Sequence, residues 1–407
     1  MGKTLTLAPW TRRAGRSTIQ EMMSVANRPD VISFALGLPA AELFPAEDYA
    51  RAVARVLSDE PRALQYGLPF EPLKKHVVSL MARRGVRCHA GQVFLTAGAQ
   101  QGVSLLSRLL LDGGAAVLCE EFIYTGFQQA VEPYGARLLT VPTSADAGMD
   151  VDAVEGVLKA ERPAFIYAIP DAHNPLGVSM GVAERERLVE LARGYGVPII
   201  EDDPYGFIHY GDEPAPPLRA LEEEWVFYVG TFSKLLAPAL RTGWVVVPEE
   251  VIPKLSVVKE AADINTCTLS QRAVAAYLDA GRLPEQLALL RREYRARRDL
   301  MLGALRKHFP ADSRWRAPDG GLFIWVELAR PFDGAALLRR AVEEEGVAFI
   351  PGAAFRVGGG ARLSKGLRLN FTNCAPALLE EGVRRLARLI SGVESREAAH
   401  HGSLSEV

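Results

Sequence analysis

The residues able to do chemistry gather just after four short apolar runs. Asp171-Ala-His-Asn-Pro-Leu-Gly177 follows Ala164–Ile169, and Glu201-Asp-Asp-Pro-Tyr205 follows Val197–Ile200. Thr231-Phe-Ser-Lys-Leu-Leu-Ala-Pro-Ala-Leu-Arg241 follows Val226–Gly230; Gly98-Ala-Gln-Gln-Gly102, which opens a helix, follows Val93–Ala97. If these runs are parallel strands, all four segments share the carboxyl edge, where open α/β sheets bind ligands. Thr231, Ser233 and Arg241, with the free amides of a helix starting at Gly98, Ala99 and Gln100, describe a phosphate cradle. An Asp (Asp202 or Asp203), Asn174, Tyr205 and Lys234 beside it suit an aromatic heterocycle with a basic nitrogen, a phenolic oxygen and an aldehyde. Pyridoxal 5′-phosphate has all three, and it uses a lysine imine and an acidic partner for its ring nitrogen.

The surrounding pattern supplies the elements to hold them. Seven apolar runs, at 93–97, 115–119, 136–141, 164–169, 197–201, 226–230 and 243–247, alternate with segments of helical length such as 183–195. Most are apolar on both faces, as strands covered by helices on either side must be. That predicts βαβ units and a mainly parallel, seven-stranded sheet in an α/β fold. After about residue 250 the pattern changes to helices over 249–263 and 283–308, strands over 321–328, 347–351 and 367–372, and helices over 335–345 and 376–390. A large unit over 46–285 is expected, with a smaller α+β unit formed by 286–392 together with the N-terminal segment 1–45. The Gly358-Gly-Gly run reads as a mobile loop, and 393–407 as a flexible tail.

At about 150 residues per domain, 407 residues make two to three. Forty-seven Lys and Arg against 49 Asp and Glu leave a net charge of −2, which argues against nucleic acid or an anionic membrane surface as partner. Neither a signal peptide nor a membrane span is expected. Four separated cysteines form no Cys-x-x-Cys or zinc spacing, so a reduced, cytoplasmic chain without a metal site is expected. Gly2 with Thr6 is read as a chance match to a myristoylation pattern, and Asn370-Phe-Thr would be a glycosylation site only in a secreted chain.

Together, Thr231-x-Ser-Lys…Arg241, Asn174-Pro-x-Gly, Asp202-x-x-Tyr205 and Arg368 in Gly366-Leu-Arg-Leu-Asn370 resemble the class I/II aminotransferases, fold-type I pyridoxal-phosphate enzymes. Ile32-Ser-Phe-Ala-Leu-Gly-Leu-Pro-Ala-Ala-Glu-Leu-Phe-Pro45 is similar to the subgroup acting on 2-aminoadipate and on aromatic or branched amino acids. The resemblance, over about 15–392, implies transfer of an amino group between an amino acid and a 2-oxo acid. Lys234 would form a Schiff base with the cofactor and shuttle a proton through a quinonoid intermediate. Asp202, favoured over Asp203 by the tyrosine three positions on, would pair with the ring nitrogen. Asn174 and Tyr205 would donate to the ring oxygen, and Tyr124 would lie over the ring. Gly98, Ala99, Gln100, Thr231, Ser233 and Arg241 would hold the phosphate, joined by Tyr66 from the other subunit of a homodimer. Arg368 would clamp the substrate carboxylate, with Gly37 and Asn174 beside it.

Leu176, Ala99, Leu36, Phe122 and a short Tyr66–Leu73 segment depart from the family pattern. They cluster where substrate and dimer partner are expected, so an unusual donor or acceptor is anticipated. Gln20 points weakly away from a pocket for acidic side chains, with Arg12, Arg13 and Arg16 close by. The alternative chemistry on the same scaffold is β- or γ-elimination or replacement. A ligand-sensing regulator built on this fold would need an N-terminal DNA-binding module, and only about 30 residues precede Ile32.

Overall fold

The computed structural model describes residues 6–12, 28–211, 213–358 and 363–402, with the backbone alone over 393–402. Gly2, Arg13, Arg16, Gln20 and most of the Gly358-Gly-Gly run lie outside these residues.

The seven apolar runs all form strands of one sheet: β1 (Val93–Thr96), β2 (Ala116–Glu120), β3 (Arg137–Val141), β4 (Ile166–Ala168), β5 (Ile199–Asp202), β6 (Val226–Thr231) and β7 (Gly243–Val246). Their order is β1-β7-β6-β5-β4-β2-β3. Only β7 is antiparallel to its neighbours; the remaining pairs are parallel. Every strand but the edge strand β3 is buried along its whole length. The alternation of side chains explains why the runs must be apolar throughout. Val117, Tyr167, Ile200 and Val229 pack toward helix α1 (Ala99–Leu110), while Leu118, Ile166, Ile199 and Val226 pack toward helices α2 (Val151–Ala160) and α3 (Val182–Tyr195). The carboxyl ends of β1, β4, β5 and β6 lie along one edge, as Thr96 and Thr231 both pair with Gly243.

A second sheet comprises β8 (Arg314–Trp315), β9 (Phe323–Asp333), β10 (Ile350–Pro351) and β11 (Leu363–Asn370), in the antiparallel order β8-β9-β11-β10. The expected strand over 347–351 is divided: Val347–Ala348 pairs in parallel with Ile32–Ser33, while β10 pairs with β11. The N-terminal segment is thereby tied to the C-terminal part of the chain. Sequence polarity misplaced three boundaries. β9 runs past Leu328 because pairing resumes at Phe332 after an irregularity around Pro331, which has no N–H to give the ladder. The helix expected from Glu249 starts at Ile252 after a single 3-10 turn, with Pro253 in its first turn. The last helix, expected to stop at Ile390 before a flexible tail, runs Pro376–Gly402; Glu394, Arg396, Glu397, Ala398 and Ala399 are polar or small but good helix formers. Among the described residues, no helix is long and apolar enough to cross a membrane, and the four cysteines are unpaired.

Candidate active site

At the carboxyl edge of the first sheet, under the second, lies a cavity of about 310 Å³. Gly37, Ala99, Gln100, Tyr124, Asn174, Asp202, Tyr205, Thr231, Ser233, Lys234, Arg241 and Arg368 all line it. Gly98 abuts the same site: its φ is +87°, and a Cβ there would meet Arg241 Nη2 at 2.6 Å. Only a glycine allows both that backbone and the guanidinium's approach. Tyr66 is the exception. It is 80% exposed and borders a separate depression with Arg62, Thr268 and Arg272.

One end of the cavity is a set of hydrogen-bond donors that could hold an anion. Gly98 is the N-cap of helix α1, so the amides of Ala99 and Gln100, which line this end, have no intrahelical partners. The Thr231 hydroxyl donates to Ser233 Oγ (2.9 Å), and the Ser233 amide donates to Thr231 Oγ1 (3.1 Å), which folds the loop after β6 back on itself. Arg241, at φ +45°, donates from Nη2 to the Ala97 carbonyl (2.7 Å). Beneath this loop is a brace that the Gly-Ala-Gln-Gln reading passed over. Gln101 Oε1 accepts from the Ala97 amide and from Lys259 Nζ, both at 2.8 Å, and its Nε2 donates to Asp263 (2.7 Å).

Lys234 reaches the middle of the cavity, its Nζ donating to the Gly37 carbonyl (2.7 Å). Burial, reinforced by the charges of Arg368 and Arg241, lowers its pKa from 10.5 to about 8. The adjacent aspartates differ in their partners. Asp203 is occupied from all sides, by Arg84 (3.1 Å), the Tyr228 hydroxyl (2.9 Å) and the Gly206 amide (2.6 Å). Asp202 accepts a single bond on Oδ2, and its buried Oδ1 has no partner. Burial raises the Asp202 carboxyl to about 6, a shift that the bond from Tyr167 opposes.

At the other end, Arg368 donates from Nη1 to Asn174 Oδ1 (2.7 Å) and from Nη2 to the Ala35 carbonyl (2.5 Å). Its guanidinium is held between the rings of Phe323 (4.1 Å) and Phe355 (4.8 Å), and its buried Nε is unpartnered. Burial lowers its pKa to about 10, still far above neutrality. Burial also keeps Tyr205 protonated and raises Tyr124 to about 12. Tyr167, Phe323, Phe355 and a buried Glu120–His173 pair (3.0 Å) beside Asn174 were not singled out from sequence. A buried aromatic in the core carries no local sign of chemistry. His173, next to the Asn-Pro motif, was the one available signal.

This arrangement matches known proteins along nearly the whole chain. A family model described as "Aminotransferase class I and II" matches residues 29–386. The chain belongs to the class I and II aminotransferases. It is 40% identical to a 2-aminoadipate transaminase of Thermus thermophilus over 93% of this chain and 96% of that one. It is 36% identical to aromatic-amino-acid aminotransferase 1 of Thermococcus litoralis, over 92% and 91%. The crystal structure of an α-aminoadipate aminotransferase from Thermus thermophilus, complexed with N-(5′-phosphopyridoxyl)-L-leucine, superposes with a TM-score of 0.89 at 37% identity, covering 96% of this chain and 98% of that one. The fold is therefore that of the fold-type I enzymes. This aminotransferase moves an amino group between an amino acid and a 2-oxo acid, and none of these relatives favours the elimination or replacement chemistry.

Family membership implies pyridoxal phosphate, and the cavity suits it. The orphaned Oδ1 of Asp202 is a buried acceptor in want of a donor such as a protonated ring nitrogen. The space kept open by Gly98 lies between helix amides and a guanidinium, the donor set a phosphate requires.

Proposed function

We propose that this cavity is the catalytic site of the aminotransferase and that Lys234 is its catalytic amine. The observation that carries this is the convergence, in one enclosed space, of a lysine held near neutrality, a half-partnered aspartate and a buried arginine. Gly98, Ala99, Gln100, Thr231, Ser233 and Arg241 would hold the cofactor's phosphate, Asp202 its ring nitrogen, Asn174 and Tyr205 its ring oxygen, Tyr124 its face and Lys234 its aldehyde. When bound, the cofactor would supply a carbonyl that takes up the amino group and a ring that accepts the electrons left at the substrate Cα.

The chain's own residues do the rest. Arg368, its guanidinium fixed by two rings and two acceptors, binds the substrate α-carboxylate. Its Nη1 also engages Asn174 Oδ1, so the Asn174 amide nitrogen is turned toward the Tyr205 hydroxyl. Lys234 Nζ takes the proton from Cα; an amine near 8 keeps an appreciable unprotonated fraction at neutral pH, which one at 10.5 does not. Tyr124, Thr231 and Lys234 come from around the first sheet; Leu36 and Leu38 of the N-terminal segment join Ile350, Phe355 and Arg368 from around the second. We assign these to a large unit (46–285) and a smaller one (1–45 with 286–392) that close on substrate and exclude water.

The charged groups lining the cavity, Asp202, Lys234, Arg241 and Arg368, all have tasks. The remaining wall includes Leu36, Leu38, Ile350 and Phe355, which suits donors with apolar side chains. In a spectral titration of the holoenzyme, leucine and phenylalanine should convert the visible cofactor band to the near-ultraviolet form at lower concentrations than glutamate, and a 2-oxo acid should restore it. Ammonia and oxo acid released without an added acceptor would contradict transamination at this site.

We assign the active form to a cytoplasmic homodimer in which Tyr66 reaches the partner's phosphate. Its exposure beside Leu64 (73% exposed) and Leu68 (88%) fits a surface made to be covered. Tyr66→Phe should weaken cofactor binding about tenfold, the worth of a hydrogen bond to a charged group, while kcat at saturating cofactor stays within about twofold. Equilibrium dialysis checks it; unchanged affinity would refute the assignment.

A further inference from the structure

Asp202 is half-satisfied, and the residue that satisfies the other half is held unusually firmly. Tyr167 sits on β4 opposite Ile200 of β5, and Asp202 follows two residues on, so both side chains leave the same face of the sheet. The Tyr167 hydroxyl donates to Asp202 Oδ2 at 2.7 Å. The Tyr167 ring is 1% exposed and stacks on Phe127 with centroids 3.8 Å apart and planes 6° from parallel. Phe127 is itself met edge-on by Phe165 at 6.1 Å. The hydroxyl therefore has one place to be and one acceptor to serve. Burial keeps it protonated, so it acts as a donor only.

We propose that Tyr167 is the positioning residue for Asp202: its hydroxyl pins Oδ2, so that Oδ1 is the oxygen left to meet the cofactor's ring nitrogen. A carboxylate free to rotate would present either oxygen or neither. One pinned through a stacked ring is set before the ligand arrives, and the cost of ordering it is met in folding. The hydroxyl also favours the ionised carboxylate against burial, because a donor to the charged form stabilises that form. Tyr167 touches no reacting atom and acts through Asp202 alone. This inference rests on the reading of the cavity given above.

The test is a double-mutant cycle on the whole protein, read as affinity for pyridoxal 5′-phosphate by fluorescence quenching. Tyr167→Phe keeps the ring and its stacking and removes only the donor. Affinity should fall about tenfold to a hundredfold, the range of a hydrogen bond to a charged group. The pH below which affinity falls should rise by about one unit, because the carboxyl loses the donor that holds it ionised. In an Asp202→Asn background the same change should cost less than about twofold. An equal loss in both backgrounds would overturn the proposal, as would unaltered affinity and pH dependence. An apo-Tyr167→Phe chain that no longer folds would also overturn it, since the hydroxyl would then serve the core. Wild-type protein that binds no cofactor would instead sink the reading of the cavity, before any variant is made.

Discussion

Lys234→Ala should lower transamination by about 10⁴-fold or more, the upper range for a positioned acid–base group, even with cofactor added in excess. The size follows from two tasks falling on one atom. On the proposed assignment Nζ both holds the cofactor and moves the Cα proton, and among the described residues no other lysine lines the cavity. Packing should survive the change, because Nζ makes one bond, to the Gly37 carbonyl, and burying it in charged form is unfavourable. Turnover at saturating amino donor, with a melting curve of the apo-variant, checks both halves. Partial rescue by a small alkylamine would locate the loss at proton transfer. A variant keeping more than a few per cent of wild-type turnover would show the base to be elsewhere.

Arg368→Lys should lower kcat/KM for amino acids by about 10²- to 10³-fold, mostly through KM, as expected when a two-pronged charge-assisted contact in a buried site is lost. Lysine keeps the charge and loses the geometry. The guanidinium lies between Phe323 and Phe355 while its Nη1 and Nη2 serve Asn174 and Ala35, and an ammonium can neither stack nor fork in this way. Cofactor affinity should change far less, since no phosphate donor is altered. Steady-state kinetics beside a cofactor titration separate the two; parallel losses would place Arg368 with the cofactor instead of the substrate.

The first sheet was legible in the sequence because each of its strands is covered on both sides or nearly so. Apolar runs such as Val226–Gly230 and Val197–Ile200 have no other reason to be apolar throughout. The place of the cavity was legible for the complementary reason: Asp202, Lys234 and Arg241, which line it, are polar residues at places where the sheet's edge needs none. Asp202 could be preferred to Asp203 only by its spacing to Tyr205, and the structure adds the physical ground, that Asp203 is consumed by Arg84, Tyr228 and Gly206. What sequence could not show was the support. Tyr167 and Phe127 are 40 residues apart and read as ordinary core, because their meeting depends on strand order. Phe323 and Phe355 likewise gain meaning only when Arg368 is placed between them. The polar stretches after Leu328 and Ile390 were read as ends of elements, though polarity on a solvent face is compatible with a continuing strand or helix.

The most direct test of the catalytic assignment is to reduce the cofactor-loaded protein with borohydride and map the modified peptide. A phosphopyridoxyl group on Lys234, and on no other lysine, is the predicted result. A label spread over surface lysines, or a loaded protein in which Lys234 stays unmodified, would contradict it.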